Sequence, residues 1–251
     1  MWRSFVLAWQ FLTILPAPYI KDPSEAEFRR SALWLPFIGL GLGAILAGLR
    51  YALAHVLPIG AATFIALTVY TICTGALHVD GLMDTADAIG SRKPRELALD
   101  IMKDSRVGAM GAIAAVLSLA GKWIALTAYP AKCVLPLLLV PLFSRLGMVW
   151  AMLLAPAARP NGLGAMFARQ VPPIGVGVVS AIVAIGCIWL IPLRVAITLF
   201  CAFVLLVFLF TLWMRRRFGG MTGDTYGALA ELIEWVLWFV MLALFAWRMP
   251  S

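Results

Sequence analysis

The feature that most limits what this chain can become is a succession of apolar stretches, near 33–57, 59–79, 108–128, 133–155, 174–192, 195–214 and 228–247. A membrane-crossing helix needs about 20 mainly apolar residues, and each stretch approaches or exceeds that length. With 63% hydrophobic and only 13% charged residues, the chain cannot supply the polar surface of a soluble domain. The expected fold is an all-α, polytopic membrane bundle of about seven transmembrane helices. It would form one integral-membrane domain over residues 1–251. The segment up to Pro16 is apolar but short, ends in Pro16-Ala-Pro18 and has Arg3 as its only basic flank. An interfacial or re-entrant helix fits it better than a cleaved signal.

Orientation follows from Lys and Arg. If the 80–107 segment is cytoplasmic, Lys21, Arg29, Arg30, Arg92, Lys93, Arg95, Lys103, Arg106, Arg159, Arg169 and Arg215 to Arg217 share its side, against Lys132, Arg194 and Arg248 on the other. The positive-inside rule favours that topology, with the motifs below on the cytoplasmic face. The net charge of +8 then reflects topology and anionic lipid, and nucleic acid is not an expected partner. Cys73, Cys133, Cys187 and Cys201 lie in or beside apolar stretches without Cys-x-x-Cys spacing, so packing is their expected role. Gly39, Gly43 and Ala47 form a small-residue stripe that lets two helix backbones approach closely.

Against this oily background, His78-Val-Asp80-Gly-Leu-Met-Asp84-Thr-Ala-Asp87 places three of the chain's 12 acidic residues within eight positions. If the segment is helical, Asp80, Asp84 and Asp87 fall on successive turns of one face. Carboxylates so crowded repel one another unless a hard cation such as Mg²⁺ joins them, and Mg²⁺ leaves room for phosphate oxygens. Gly81 would let a bulky ligand approach the backbone, and His78 is a candidate base, ligand or cap. The segment 80–107 is expected as a cytoplasmic acidic and basic loop, with a short surface helix over Pro94–Lys103. Asp104 would complete the metal site where the chain re-enters the membrane, while Asp100 fits the helix surface equally well. Lys103 and Arg106 would neutralise phosphate oxygens.

A further constellation, Gly219-Gly-Met-Thr222-Gly-Asp224-Thr-Tyr-Gly227, opens the last apolar stretch and is followed by Glu231 and Glu234. Ionisable groups inside such a stretch are expensive and point to a polar, functional interior. Arg145 is expected about 15 Å deep, at 1.5 Å per helical residue, pairing with a buried acid or lining a cavity. Lys122 is comparable, with snorkelling as an alternative.

Taken together, Thr74-Gly-Ala-Leu-His-Val-Asp-Gly-Leu-Met-Asp-Thr-Ala-Asp87, Ile101-Met-Lys-Asp-Ser-Arg-Val-Gly108 and Gly219-Gly-Met-Thr-Gly-Asp-Thr225 resemble the cobalamin synthase family, the adenosylcobinamide-GDP ribazoletransferases. Phe11-Leu-Thr-Ile-Leu-Pro16, Pro36-Phe-Ile-Gly39, Ser144-Arg145 and Ala158-Arg-Pro-Asn-Gly-Leu-Gly164 extend the likeness over essentially the whole chain. Two positions depart from it: Ile14 stands where many members have Arg, and Ala88 where the acidic motif often ends in Gly.

The resemblance implies a Mg²⁺-dependent enzyme of the bacterial inner membrane. It would join adenosylcobinamide-GDP to α-ribazole or α-ribazole 5′-phosphate, release GMP and complete the nucleotide loop of B12. On this reading Asp80, Asp84, Asp87, Asp104 and Asp224 hold metal, and His78, Asp84 and Asp87 serve catalysis. Gly81, Lys103, Arg106, Arg145, Arg159, Thr222 and Glu231 contact substrate. Self-association is left open. The alternatives are an enzyme like the CDP-alcohol phosphotransferases, whose Ala-Arg and final Asp pair are missing here, and a cation- or proton-coupled transporter, whose acids would sit near the midplane.

Overall fold

A computed structural model describes residues 1–160, 162, 165–166 and 171–246. Its helices are α1 (Trp2–Leu12), α2 (Glu25–Ser31), α3 (Leu35–Leu53), α4 (Ile59–Cys73), α5 (Leu77–Gly90), α6 (Arg95–Ile101), α7 (Ala109–Thr127), α8 (Leu135–Leu154), α9 (Pro173–Leu190), α10 (Leu193–Phe218) and α11 (Gly223–Ala246). Among the described residues no strand forms, and the one extended pairing is an isolated parallel bridge between Ala157 and Met221.

Among the described residues six helices are long and apolar enough to cross a membrane: α2 and α3 run together over Glu25–Leu53, followed by α7, α8, α9, α10 and α11. The bent pair of α4 and α5 counts as a seventh only when the two are taken as one broken span; alternatively the pair is a re-entrant loop. The chain is thus a multi-pass helical membrane bundle, as the apolar stretches predicted. α1 packs beside α2 and α3 with Ala8 and Leu12 in the core. The capping box of Ser24 and Glu27 and an Arg3–Glu27 ion pair of 2.8 Å anchor α2 beneath it.

Apolar surface gives little reason for helices to associate inside lipid, so close backbone approach must do more of the work. The expected stripe does this between α3 and α8. A Cβ at Gly39 would strike the Pro141 carbonyl, and one at Gly43 the Leu137 carbonyl. Pro141 lies inside α8, and Pro136 and Pro173 sit in the first turns of α8 and α9, where no helical N–H is lost. α10 ends at Gly219, whose φ of +79° closes the helix after the basic turn Arg215 to Arg217.

One expectation needs correction. The apolar stretch 59–79 is not a single helix: α4 stops at Cys73, and α5 starts at Leu77 at 83° to it. Gly75 (φ +58°) and Ala76 (φ +56°) both take left-handed conformations, with Gly75 N–H donating to Ile72 O and Ala76 N–H to Thr71 O. An alanine in this region is strained by about 1–2 kcal/mol, so the turn is imposed by its surroundings. α5 leaves the line of α4 and packs against α7 and α11. Residues 80–90, expected as the start of a loop, are helical, and only short connections flank α6.

Successive crossings bring the site-bearing segments to one end. There α5 packs against α7 and α11, the residue pair Ala157 and Met221 links the exits of α8 and α10, and Arg217 donates to the Lys93 carbonyl. The four cysteines are free thiols, consistent with packing.

Candidate active site

The acidic helix α5 is pressed onto the start of α11. Gly81 is the contact point: a Cβ there would lie 2.6 Å from the Asp224 carbonyl oxygen. Gly81 therefore serves helix approach, where the sequence suggested ligand approach. It nevertheless borders a cavity of about 80 Å³ whose walls include His78, Asp80, Asp224 and Tyr226.

Asp224 owes its position to the Gly219-Gly220 turn. The Met221 N–H donates to Pro156 O at 2.9 Å and Ala158 N–H to Met221 O at 2.8 Å, and a Cβ at Gly220 would strike Pro156 O. Thr222 then caps α11. Its hydroxyl accepts from Thr225 N–H at 3.2 Å, the Thr225 hydroxyl accepts from Thr222 N–H at 2.8 Å, and Thr222 also donates to Asp224 Oδ2 at 3.2 Å. Thr222, expected to touch substrate, is a helix cap that orients Asp224.

Asp84 stands half-buried among like charges. Burial comes first, then the charges of Asp80, Asp224 and Asp87, and together they push its carboxyl up to about 7 although Arg159 opposes them. Arg159 is half-buried, donates to Leu99 O and borders an open cleft with Arg95, Asp100 and Lys103. Its guanidinium is the cation that both Asp84 and Asp224 feel.

Other expected members of the site are engaged elsewhere. The Asp87 carboxylate accepts from Gly108 N–H and Gly111 N–H, both at 2.8 Å, and so caps the start of α7. A Cβ at either glycine would strike that carboxylate. Asp104 is held by Arg106, whose hydrogen bonds keep its carboxyl down at about 2. Lys103 is exposed and paired at 2.8 Å with Asp100, which settles on the helix surface.

Arg145 and Glu231, expected at the substrate, are sealed in the bundle core. Arg145 pairs with Glu234 and Tyr70, and Lys122 reaches Glu231 at 2.7 Å and Glu234 at 2.6 Å. The Ser118 hydroxyl donates to Glu231 at 2.6 Å. Two cations and two carboxylates, each no more than 4% exposed, cancel one another. Lys122 does not snorkel, because its partners lie beside it. The edge of this network is His78, whose Nδ1 lies 3.2 Å from Arg145 Nη2. Arg50, also buried, is held mainly by main-chain oxygens, among them Leu126 O at 3.0 Å.

Among the described residues, no three His, Cys, Asp or Glu side chains already close round a metal position. The chemistry of the set still fits a divalent cation at Asp80 and Asp224. They are hard oxygen donors on one cavity wall, and the negative charge beside them is unanswered enough to raise Asp84. Asp87 and Asp104 already accept hydrogen bonds from Gly108, Gly111 and Arg106, and would share their oxygens with those donors in meeting a cation.

A model of the family described as cobalamin-5-phosphate synthase matches residues 4–242. The chain belongs to the cobalamin-5-phosphate synthase family. It is 37% identical over 246 residues to a protein of Geotalea daltonii named adenosylcobinamide-GDP ribazoletransferase, covering 97% of this chain and 98% of that one. Relatives of the same name from Desulforamulus reducens (40% over 245 residues; 96% and 97% covered) and Pseudomonas putida (39% over 241 residues; 92% and 94%) agree. No solved structure matches.

As a member of this family the chain is a transferase. Of its two departures from the family motifs, Ile14 donates its N–H to Cys73 O at 2.9 Å and lies against the left-handed turn at Gly75. Ala88 is wholly buried inside α5. Neither residue lines the acidic cavity. Sequence reasoning missed Tyr226, whose only signal was its place directly after the Asp224-Thr225 pair.

Proposed function

We propose that this chain joins adenosylcobinamide-GDP to α-ribazole, or to α-ribazole 5′-phosphate, with release of GMP. The observation that carries the reading is the set of insufficiently neutralised carboxylates at α5 and α11, faced by Arg159, which also borders an open cleft of mixed charge. The ribose 5′-hydroxyl attacks the cobinamide-side phosphorus of the diphosphate, the bond to the GMP oxygen breaks, and GMP leaves. Positioning and charge neutralisation carry most of such a transfer.

Asp80 and Asp224 would hold Mg²⁺. When bound, it would offset charge on the diphosphate and on the departing GMP. Asp84, whose neighbours are Asp80 and Asp224, takes the proton of the attacking hydroxyl. Arg159 faces the same carboxylates and meets the phosphates from the opposite side. The adjoining cleft, about 430 Å³ and bordered by Arg95 and Lys103, would receive the guanosine end. We further propose the cytoplasmic face of the bacterial inner membrane for this end of the bundle. Arg92, Lys93, Arg95, Lys103, Arg106 and Arg215 to Arg217 gather there.

The test is GMP release by purified protein in liposomes supplied with adenosylcobinamide-GDP, α-ribazole and Mg²⁺. Release that stops with EDTA is expected; no release under any metal condition overturns the reading.

A further inference from the structure

The end of the bundle opposite the acidic site carries an apolar groove of about 260 Å³, where the start of α8, the turn from α9 into α10 and the end of α11 meet. Its walls include Cys133, Pro136, Leu190, Val195, Leu244 and Phe245, and among the described residues no charged side chain lines it. Trp189, 85% exposed on the last turn of α9, stands beside it in sequence. Tryptophan favours the depth at which lipid tails give way to headgroups, so the groove opens near that level. Left empty there, its walls would forfeit packing contacts that a hydrocarbon chain supplies.

The charges around the groove say what such a chain should carry at its head. Lys132 directly precedes Cys133, Arg194 directly precedes Val195, and both cations are exposed. Neither forms an ion pair among the described residues. A third cation, Arg50, is buried at the same end. It is held by Thr63 and main-chain oxygens rather than by a carboxylate, and its charge is felt at Cys133. The chain's 12 acidic side chains all fall at 22–27, 80–104 and 224–234, toward the site end or in the middle of the bundle. An apolar groove therefore sits among positive charges that no acidic side chain answers.

Three occupants can be compared on these grounds. A second copy of the chain would bring the same cations against themselves, with no carboxylate between them. A zwitterionic lipid would fill the groove but bring its own cation beside its phosphate. A lipid with net negative charge fills the apolar space and answers the cations at once. We infer that this groove seats an acyl chain of one anionic phospholipid, whose phosphate is paired by Lys132 and Arg194.

The test uses the full-length protein in phosphatidylcholine nanodiscs doped with a trace of phosphatidylglycerol or of phosphatidylcholine, each with the same photoreactive acyl chain. Adducts are mapped by peptide mass spectrometry. Residues 190–195 and 241–245 should be labelled roughly tenfold more by phosphatidylglycerol, since each basic residue near an anionic lipid contributes a several-fold preference. The outward face of α9, around Ile182 and Ile185, should be labelled equally by both.

K132Q/R194Q, which changes exposed side chains alone, should bring the two lipids level in the groove. L244W, which fills it, should remove groove adducts of both while those on α9 persist. Equal labelling by the two lipids in the wild type would mean a general lipid surface and overturns the inference. A preference that survives K132Q/R194Q does the same, as does a groove that neither lipid labels because a second copy covers it.

Discussion

Two acidic groups in this molecule are treated in opposite ways. In the core, Glu231 and Glu234 are answered by Lys122 and Arg145 at hydrogen-bond distance and by Ser118 and Tyr70. At the end of the bundle, Asp80, Asp84 and Asp224 crowd together with Arg159 as the cation they share. The first group is complete without any ligand, because burying four charges is tolerable only when each has its partner. The second is left incomplete, and crowding of three carboxylates against one guanidinium is a penalty the fold carries for something outside itself. An ionisable group in an apolar chain is therefore not a sign of function until its partners are known.

The sharpest way to break this comparison is Glu234→Ala. It strands Arg145 in the core and leaves Lys122 with Glu231 alone, and should lower stability by about 3–5 kcal/mol. Thermal unfolding in detergent checks it, and a melting point near that of the wild type would mean the core charges are not a closed set.

Asp84→Asn should act in the reverse sense. GMP release is expected to drop roughly a hundredfold to a thousandfold, while the metal-free protein becomes more stable. The sign follows from the raised carboxyl. Its ionised form is disfavoured in the fold, so the penalty is absent below its ordinary value near 3.8, grows as pH rises and is complete above about 7. The gain in melting temperature should thus be clear at pH 8 and vanish near pH 4. A variant that melts lower at pH 8 would show that Asp84 is answered after all.

Asp87→Ala probes the boundary between the two groups. Loss of a cap on α7 should lower stability by about 1–2 kcal/mol, with GMP release reduced only as far as folded protein is reduced. A loss of activity as deep as that of Asp84→Asn would return Asp87 to the reacting group. Last, Asp104→Asn should change neither GMP release nor the rise in melting temperature on adding Mg²⁺. Loss of that Mg²⁺ effect would restore Asp104 as a ligand.

The crossing helices were legible because length and apolarity alone define them, and α6 because Pro94 and its apolar set announce a short helix. The break before α5 was not. Ala76 carries no side-chain signal for a left-handed turn, and Gly75 alone is weak. Asp80, Asp84 and Asp224 were legible as charges out of place. The cap that Asp87 places on α7 was not legible, because its partners are main-chain N–H groups, which no residue pattern displays. Arg145 and Glu231 were assigned to substrate because the sequence does not say which helices face each other. Only the packing of α7, α8 and α11 turns them toward Glu234 and Lys122.

The stitch between Pro156, Ala158 and Met221 has a consequence for modularity. Two main-chain hydrogen bonds draw together the points where the chain leaves α8 and where it enters α11. Helices α9 and α10 lie in the segment closed off by that neck, and α10 packs into the core through Phe203 and Val207. α9 is largely turned outward, toward where lipid would lie. The outward face of α9 can be redecorated to suit different bilayers while Arg159 and Asp224, fastened on either side of the neck, keep their places.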